Sequence, residues 1–263
     1  MIKLCPFRIK SAIAGVVLVL AGPAFGAGAA APLEQSGIDI SNKASLQRGA
    51  QTFFNHCASC HSAQYMRYSR LVQDLELSEA QVQENLNFLR DPADPSQTLK
   101  IGELMVGTMS KAQGERWFGK APPDLTLTAR YKHGGADWIY TFMKSYYFDP
   151  SRPSGWNNSV FLNTAMPHPL WEYQGIQEPV LKKEKDAGGI EHTTVHGFKT
   201  ISAGTLDARG YDEMIRDLSA FMEYLAEPAA LQREKYGIWI MLYLLLFAGV
   251  AYLLKNEYWK DVH

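Results

Sequence analysis

Cysteine is scarce in this chain, with 3 among 263 residues, too few to build a disulfide framework. An excess of either charge is also missing: 26 Lys and Arg stand against 27 Asp and Glu, a formal net charge of -1. No lysine- or arginine-rich run breaks that balance, so the electrostatic footprint of a nucleic-acid binder is absent and nucleic acid is excluded as a partner. No internal repeat is present, and low complexity is confined to an alanine-rich stretch near the N-terminus. At 46% hydrophobic residues the chain can build one substantial core with room for a small extra element.

What is there begins with an export pattern over residues 1–31. Lys3, Arg8 and Lys10 precede an apolar stretch from Ser11 to Ala21, too short to span a bilayer. Small residues then run from Gly22 to Ala31, with Ala27-Gly28-Ala29 among several A-x-A-like cleavage points; an uncleaved anchor is the alternative. Cys5 would leave with this leader, and only Cys57 and Cys60 would remain. A disulfide between them would close a tiny loop and staple no fold, so their purpose is expected to be chemical. Loss of the leader leaves 23 Lys and Arg against 27 Asp and Glu, a mildly acidic domain suited to steering a basic carrier.

A second apolar run, Tyr236 to Leu254, holds 19 residues without a charge. As a helix it would be about 28 Å long, against a hydrocarbon core of about 30 Å, and it predicts a membrane anchor. Arg233 and Lys235 lie before it and Lys255 and Lys260 after it, so flanking charge does not choose an orientation. The export pattern does, placing the bulk outside and a short tail inside. The expected division is a leader at 1–31, a periplasmic domain at 32–228, and an anchor at 229–263 with its transmembrane helix at about 236–254, in an inner (cytoplasmic) membrane of bacterial type.

Between leader and anchor the pattern is mainly α. From Ser45 to Ala58, Leu46, Ala50, Phe53, Phe54 and Cys57 recur at spacings of three and four, predicting a helix with Cys57 on its apolar face. Ser78 with Gln81 resembles a capping box for a helix running to Leu89, which Asp91-Pro92 would stop. The stretch Gly119 to Gly175 is rich in Pro, Gly, Trp and Tyr and predicts turns, with one helix near Asp137 to Tyr147. Ile190 to Ser202 suggests a short surface hairpin. From Tyr211 to Glu227, Met214, Ile215, Leu218, Phe221, Met222 and Leu225 share a face with Tyr211, and Pro228 separates this helix from the anchor.

The chemistry sits at Cys57-Ala58-Ser59-Cys60-His61, a C-x-x-C-H pattern that occurs once. Two thiols at this spacing can reach both vinyl groups of one haem, and the adjacent imidazole is carried beneath the iron. Zinc would need two further ligands at suitable spacing, and a redox dithiol would need βαβ surroundings; neither is visible. One covalent haem c is therefore expected, with His61 as an iron ligand.

A second axial ligand would distinguish electron transfer from haem chemistry on substrates. Met166 is preferred because Thr164-Ala165-Met166-Pro167-His168-Pro169 is a proline-stiffened loop. Spacing alone leaves Met66, Met105, Met109 and Met143 open, and the ordinary role of a methionine is core filling.

Several separated blocks give the chain a resemblance to the cytochrome c1 family, the haem-bearing subunits of the cytochrome bc1 complex. They are the Cys57 to His61 motif, Ala121-Pro122-Pro123-Asp124-Leu125 leading to His133-Gly134-Gly135, Ala165-Met166-Pro167, and Leu225-Ala226-Glu227-Pro228 before the C-terminal apolar run. The resemblance implies a cytochrome c-type haem domain with loop insertions plus one C-terminal transmembrane helix. It implies Met166 as sixth ligand and a haem lined by Pro122 to Gly135, including Pro123, with a basic residue near a propionate. Many members carry arginine immediately before His-Gly-Gly; here Lys132 stands there and Arg130 lies two residues earlier. A lysine offers a point charge where arginine offers a fork.

The resemblance also implies one-electron transfer within a quinol:cytochrome c oxidoreductase. An electron would come from a Rieske iron-sulfur protein and pass to a soluble cytochrome c, with cytochrome b as a further partner and quinol chemistry left to those subunits. The rivals are a stand-alone anchored cytochrome feeding a terminal oxidase, and a haem peroxidase or gas sensor. Other histidines carry no assignment. His192 and His196 adjoin strand-forming residues, where a four-residue spacing means about 13 Å, so no metal is expected there. His56 reads as an exposed loop residue, and His168 as a neighbour of haem or of solvent.

Overall fold

A computed structural model of the chain describes residues 32–91, 94–185 and 191–261, and the expected leader lies outside them. In chain order the elements are α1 (Lys43–His56), β1 (Ala63–Arg67), α2 (Tyr68–Leu75), α3 (Glu79–Asn85), β2 (Leu104–Met105), α4 (Lys111–Phe118) and α5 (Thr128–Tyr131). There follow α6 (Gly135–Lys144), β3 (Tyr146–Phe148), β4 (Trp156–Asn158), α7 (Trp171–Gln174), β5 (Gly175–Lys185), β6 (Glu191–Ala203), α8 (Ala208–Ala226) and α9 (Ala230–Tyr258).

The frame of the core is the crossing of α1 and α8. Asn42 caps α1 by accepting the Ser45 amide at 3.2 Å, and Leu46, Ala50, Phe53 and Phe54 are buried along one side. They meet Ile215, Leu218, Phe221 and Leu225 of α8, with the Phe53 and Phe221 rings 5.6 Å apart. Burying a side chain of this size contributes about 2 kcal/mol. The two backbones touch at Gly49, where an added Cβ would lie 2.1 Å from the Asp217 carbonyl oxygen and 2.7 Å from the Phe221 Cβ. Beside this contact the buried Asp217 carboxylate accepts from the Ser45 hydroxyl at 2.5 Å and from Arg48 Nε at 2.6 Å.

Three antiparallel pairs, β1 with β2, β3 with β4, and β5 with β6, decorate this helical core. The expected helix ending at Tyr147 stops at Lys144, because Tyr146–Phe148 is extended and pairs with Trp156–Asn158. The helix begun by the Ser78 capping box ends at Asn85 rather than Leu89, since Leu99 donates to the Leu89 carbonyl and Arg90 bridges Thr98. The hairpin expected within Ile190 to Ser202 does not form: Glu191–Ala203 is the single strand β6, and its partner is β5, with Gly175 paired to Ala203 at the base and Lys185 to Glu191 at the far end. Pro179 in β5 disguised the strand, because proline reads as a breaker although a two-stranded ribbon tolerates it on an outward-facing edge.

Beyond Pro228, α9 runs on for 29 residues, and the most apolar 18-residue window of its segment Lys235–Tyr258 has mean hydropathy 2.2, with none of that window covered by the rest of the chain. A helix of 24 residues is about 36 Å long, sufficient to cross a bilayer with some tilt.

Candidate haem-binding site

The attachment turn grows from the end of α1. The Cys57 amide closes the helix on the Phe53 carbonyl at 2.8 Å, and the Cys57 carbonyl accepts from Cys60 at 3.1 Å and from His61 at 2.9 Å. Both thiols and the imidazole are thus gathered in one tight turn, Cys57 buried and Cys60 half-buried. Burial pushes the Cys57 thiol up to about 12, with Cys60 adding to the effect, so the sulfur is held protonated. Gly107 lies against this turn: a Cβ there would sit 3.1 Å from the Ala58 carbonyl oxygen, and its amide donates to Ser62 Oγ at 2.8 Å.

His61 is buried, with Nδ1 2.7 Å from the Pro123 carbonyl. A carbonyl can only accept, so Nδ1 carries the proton and Nε2 keeps the lone pair that iron needs. Burial lowers the imidazole pKa, outweighing the Pro123 bond, and favours this neutral form. The segment holding Pro123 is sewn to the chain after His61. Leu125 donates to the Ser62 carbonyl at 2.9 Å, and the Asp124 carboxylate accepts from the Gln64 amide at 2.8 Å and the Thr126 amide at 2.9 Å.

Met166 packs half-buried against the core in a loop without regular structure. Tyr146, fully buried, donates to the Met166 carbonyl at 3.4 Å. Burial raises its phenol pKa against a hydrogen bond with Thr164, and the Cys57 thiol acts on the same phenol. Tyr146 therefore ties β3 to the Met166 loop. The buried His168 ring stacks on Tyr146 at 4.6 Å and meets Trp156 edge-on at 5.2 Å. It accepts the Leu170 amide on Nδ1 and donates from Nε2 to Gln174 Oε1 at 2.6 Å, and burial lowers its pKa to about 4. It is a neutral structural wedge, with no face to solvent.

The two basic candidates separate in space. Arg130 reaches Glu227 at 3.5 Å, and Glu227 also pairs with Arg233 at the start of the anchor helix. Lys132 instead places its ammonium 4.3 Å above the Trp138 ring and 5.2 Å from that of Phe161, in the loop preceding Met166. Among the alternative methionines, Met66, Met105 and Met143 are buried in the core, while the Met109 amide donates to the Ser59 carbonyl at 3.2 Å. His56 is the last residue of α1 and half-buried, edge-on to Tyr173 at 5.3 Å, rather than an exposed loop residue. His192 and His196 fall on the extended strand β6. Sequence reasoning missed Tyr146, Arg152, Asn157 and Asn158, whose only outward signal was an asparagine doublet in a turn-rich stretch.

The donor set fits a haem c: two thiols in one turn, a neutral imidazole oriented through Nδ1, and a thioether in a loop tied to the buried Tyr146. Comparison with known proteins gives the same direction. The cytochrome c1 family model matches residues 35–262. A cytochrome c1 of Allochromatium vinosum is 42% identical over 97% of this chain and 100% of its own length. A protein of Nitrosomonas europaea named ammonia monooxygenase gamma subunit is 40% identical over 88% of this chain and 89% of its own. A cytochrome c1 of Rhodospirillum rubrum is 25% identical over 93% of this chain and 96% of its own.

Proposed function

The chain belongs to the cytochrome c1 family, a membrane-anchored electron-transfer subunit of bc1 type with one covalently bound haem c, and on that premise we propose how its residues serve that role. Cys57 and Cys60 would hold the haem covalently, and His61 Nε2 and the Met166 sulfur would ligate its iron. When bound, the haem supplies a one-electron iron couple, and His/Met ligation raises its potential. The observation that carries this reading is the commitment of His61 Nδ1 to the Pro123 carbonyl, which fixes the tautomer a metal-bound imidazole requires. Lys132 is the propionate partner, since Arg130 is engaged by Glu227.

Electrons arrive from a Rieske iron-sulfur protein and leave to a soluble cytochrome c. Cytochrome b is the further partner of the complex, and quinol chemistry belongs to it and the Rieske protein. Residues 1–31 act as a removable leader, 32–228 stand on the periplasmic side of an inner membrane, and 229–263 form the anchor with its tail in the cytoplasm. The position of Arg130, Glu227 and Arg233 at the foot of the domain supports this arrangement, because it ties the lining segment to the start of α9.

Mild detergent purification of the tagged chain tests the proposal. Co-purification of a two-haem cytochrome b and a Rieske protein, with quinol-driven reduction of the covalent haem, is the expected outcome. The 40% identical relative named for ammonia monooxygenase supplies a second reading. Recovery with an ammonia monooxygenase, and without cytochrome b, would replace the first by the second. Recovery alone, with rapid carbon monoxide binding by the ferrous haem, would favour a sensor or peroxidase.

A further inference from the structure

A thioether is a neutral, weak ligand, and Met166 sits in a stretch with no helix or ladder of its own. The backbone contributes little there: Ser159 donates to the Ser145 carbonyl at 3.2 Å. Side chains take over. Asn158, 0% exposed, accepts the amides of Val160 at 2.9 Å and Phe161 at 3.1 Å on Oδ1, and donates from Nδ2 to the Phe142 carbonyl of α6 at 2.7 Å. Asn157 accepts the amides of Asn158 at 2.9 Å and Asn163 at 2.8 Å, and donates to the Asp149 carboxylate at 2.9 Å. Asn163 adopts φ +60°, and the Arg152 guanidinium clamps its side-chain and backbone oxygens at 3.1 Å each.

We infer that Asn157 and Asn158, with Arg152, are positioning residues that set the Met166 sulfur at its distance from the haem iron, an inference that rests on the reading of Met166 as a ligand. The chain of contacts is continuous. Asn158 hangs the loop from the end of α6, which packs on α8, and α8 crosses α1, whose end carries Cys57. The asparagines thereby join the Met166 loop to the Cys57 turn through packed helices. Both are buried amides whose donor and acceptor capacity is used in this loop, so truncation leaves amides unpaired and lets the loop drift.

The test uses the full chain in detergent, with Asn157→Ala, Asn158→Ala, Arg152→Ala, Met166→Leu and the surface control Asn85→Ala. Three readouts report the sulfur–iron bond: the ferric thioether-to-iron charge-transfer band, carbon monoxide binding by ferrous haem, and midpoint potential. Haem-stained denaturing gels check covalent attachment. Expected is loss of at least half the band in each asparagine variant, with carbon monoxide binding gained, potential lowered and covalent haem retained. Asn158→Asp, which keeps an acceptor for the two amides, should retain more of the band than Asn158→Ala. If Asn158→Ala yields no haem protein, Asn157→Ala and Arg152→Ala decide the question by the same readouts. Loss of the band in Met166→Leu with all three alanine variants unchanged from wild type overturns the inference and leaves the ligand reading standing. A band unchanged in Met166→Leu overturns the ligand reading itself.

Discussion

The attachment turn and the Met166 loop are built by opposite means. The turn is local: five consecutive residues, a helix end and short-range backbone bonds bring both thiols and the imidazole together. The loop is distributed: the segment around Met166 is held by Tyr146, Arg152, Asn157, Asn158 and His168, drawn from two strands, a turn and the loop itself. A turn made of backbone bonds tolerates change in most side chains. A loop made of side-chain bonds does not, and that contrast can be broken or sharpened by substitution.

The largest effect belongs to the turn. Replacing both Cys57 and Cys60 by alanine should abolish covalent haem and lower the yield of folded chain, because a ligand that binds only the native state stabilises it. A haem-stained denaturing gel reads this directly, and a normal band from the double variant would remove the turn from the site. Close behind comes the helix crossing that supports the turn. Gly49→Val would force side-chain atoms onto the Asp217 carbonyl, with the first added carbon only 2.1 Å away. Overpacking costs about 1–3 kcal/mol and more where backbone must move, so a loss at or above about 3 kcal/mol in urea unfolding is expected. A loss within about 0.5 kcal/mol, the range of ordinary surface changes, would mean that the helices part easily and the turn is not braced by them.

A smaller change isolates the other side. Met166→Leu keeps much of the volume and removes the sulfur that favours ferrous over ferric iron, while both cysteines stay in place. Each factor of ten in that preference is about 59 mV for one electron, and axial ligands move haem potentials over about 0.8 V. Potentiometry should therefore show a fall beyond about 100 mV with haem still covalently attached. Parallel leucine changes at Met105, Met109 and Met143 should leave the potential near wild type; a fall from one of them, with Met166→Leu silent, would transfer the ligand role.

The same contrast explains what the sequence disclosed. The turn was legible because C-x-x-C-H compresses the chemistry into one string, and the helical periodicity before it placed Cys57 on the buried face, as observed. The α1 and α8 patterns were legible for the same reason, with boundaries shifted by one to three residues. The anchor was visible from length and apolarity alone. The long β5–β6 hairpin was not, because Pro179 and alternating charges mask a ribbon held by register rather than by a buried face. α4 was overlooked although Ser110 and Gln113 form a capping box, since its apolar face is small and only Gly114 is buried. The Met166 loop was half legible: the prolines marked it, but the partners of Asn157 and Asn158 lie on elements that only the fold brings together. Arg130 and Lys132, indistinguishable by spacing, were separated by their neighbours Glu227 and Trp138.

The smallest expected effect probes the outer prop of the loop. Asp149 accepts from the Ser151 hydroxyl at 2.6 Å, the Ser151 amide at 3.0 Å and Asn157 Nδ2 at 2.9 Å, with Arg152 nearby. The Ser151 bond above all, then Asn157, holds its carboxyl below the ordinary value of 3.8. A depressed folded-state value means that the charged carboxylate stabilises the native loop above pH 3.8, and that this contribution fades as pH falls through the lower folded value. Asp149→Asn should thus be less stable than wild type at pH 6, by an amount on the order of 0.5 kcal/mol because the carboxylate is open to solvent screening. Only at a pH below that lower folded value should the two proteins converge, since wild type then carries a neutral side chain as well. Urea unfolding at both pH values, followed through the charge-transfer band, measures the difference. A gap as large in acid as at pH 6 would show that the loop is held by the shape of the Asp149 turn rather than by its charge. Its support would then resemble that of the attachment turn after all.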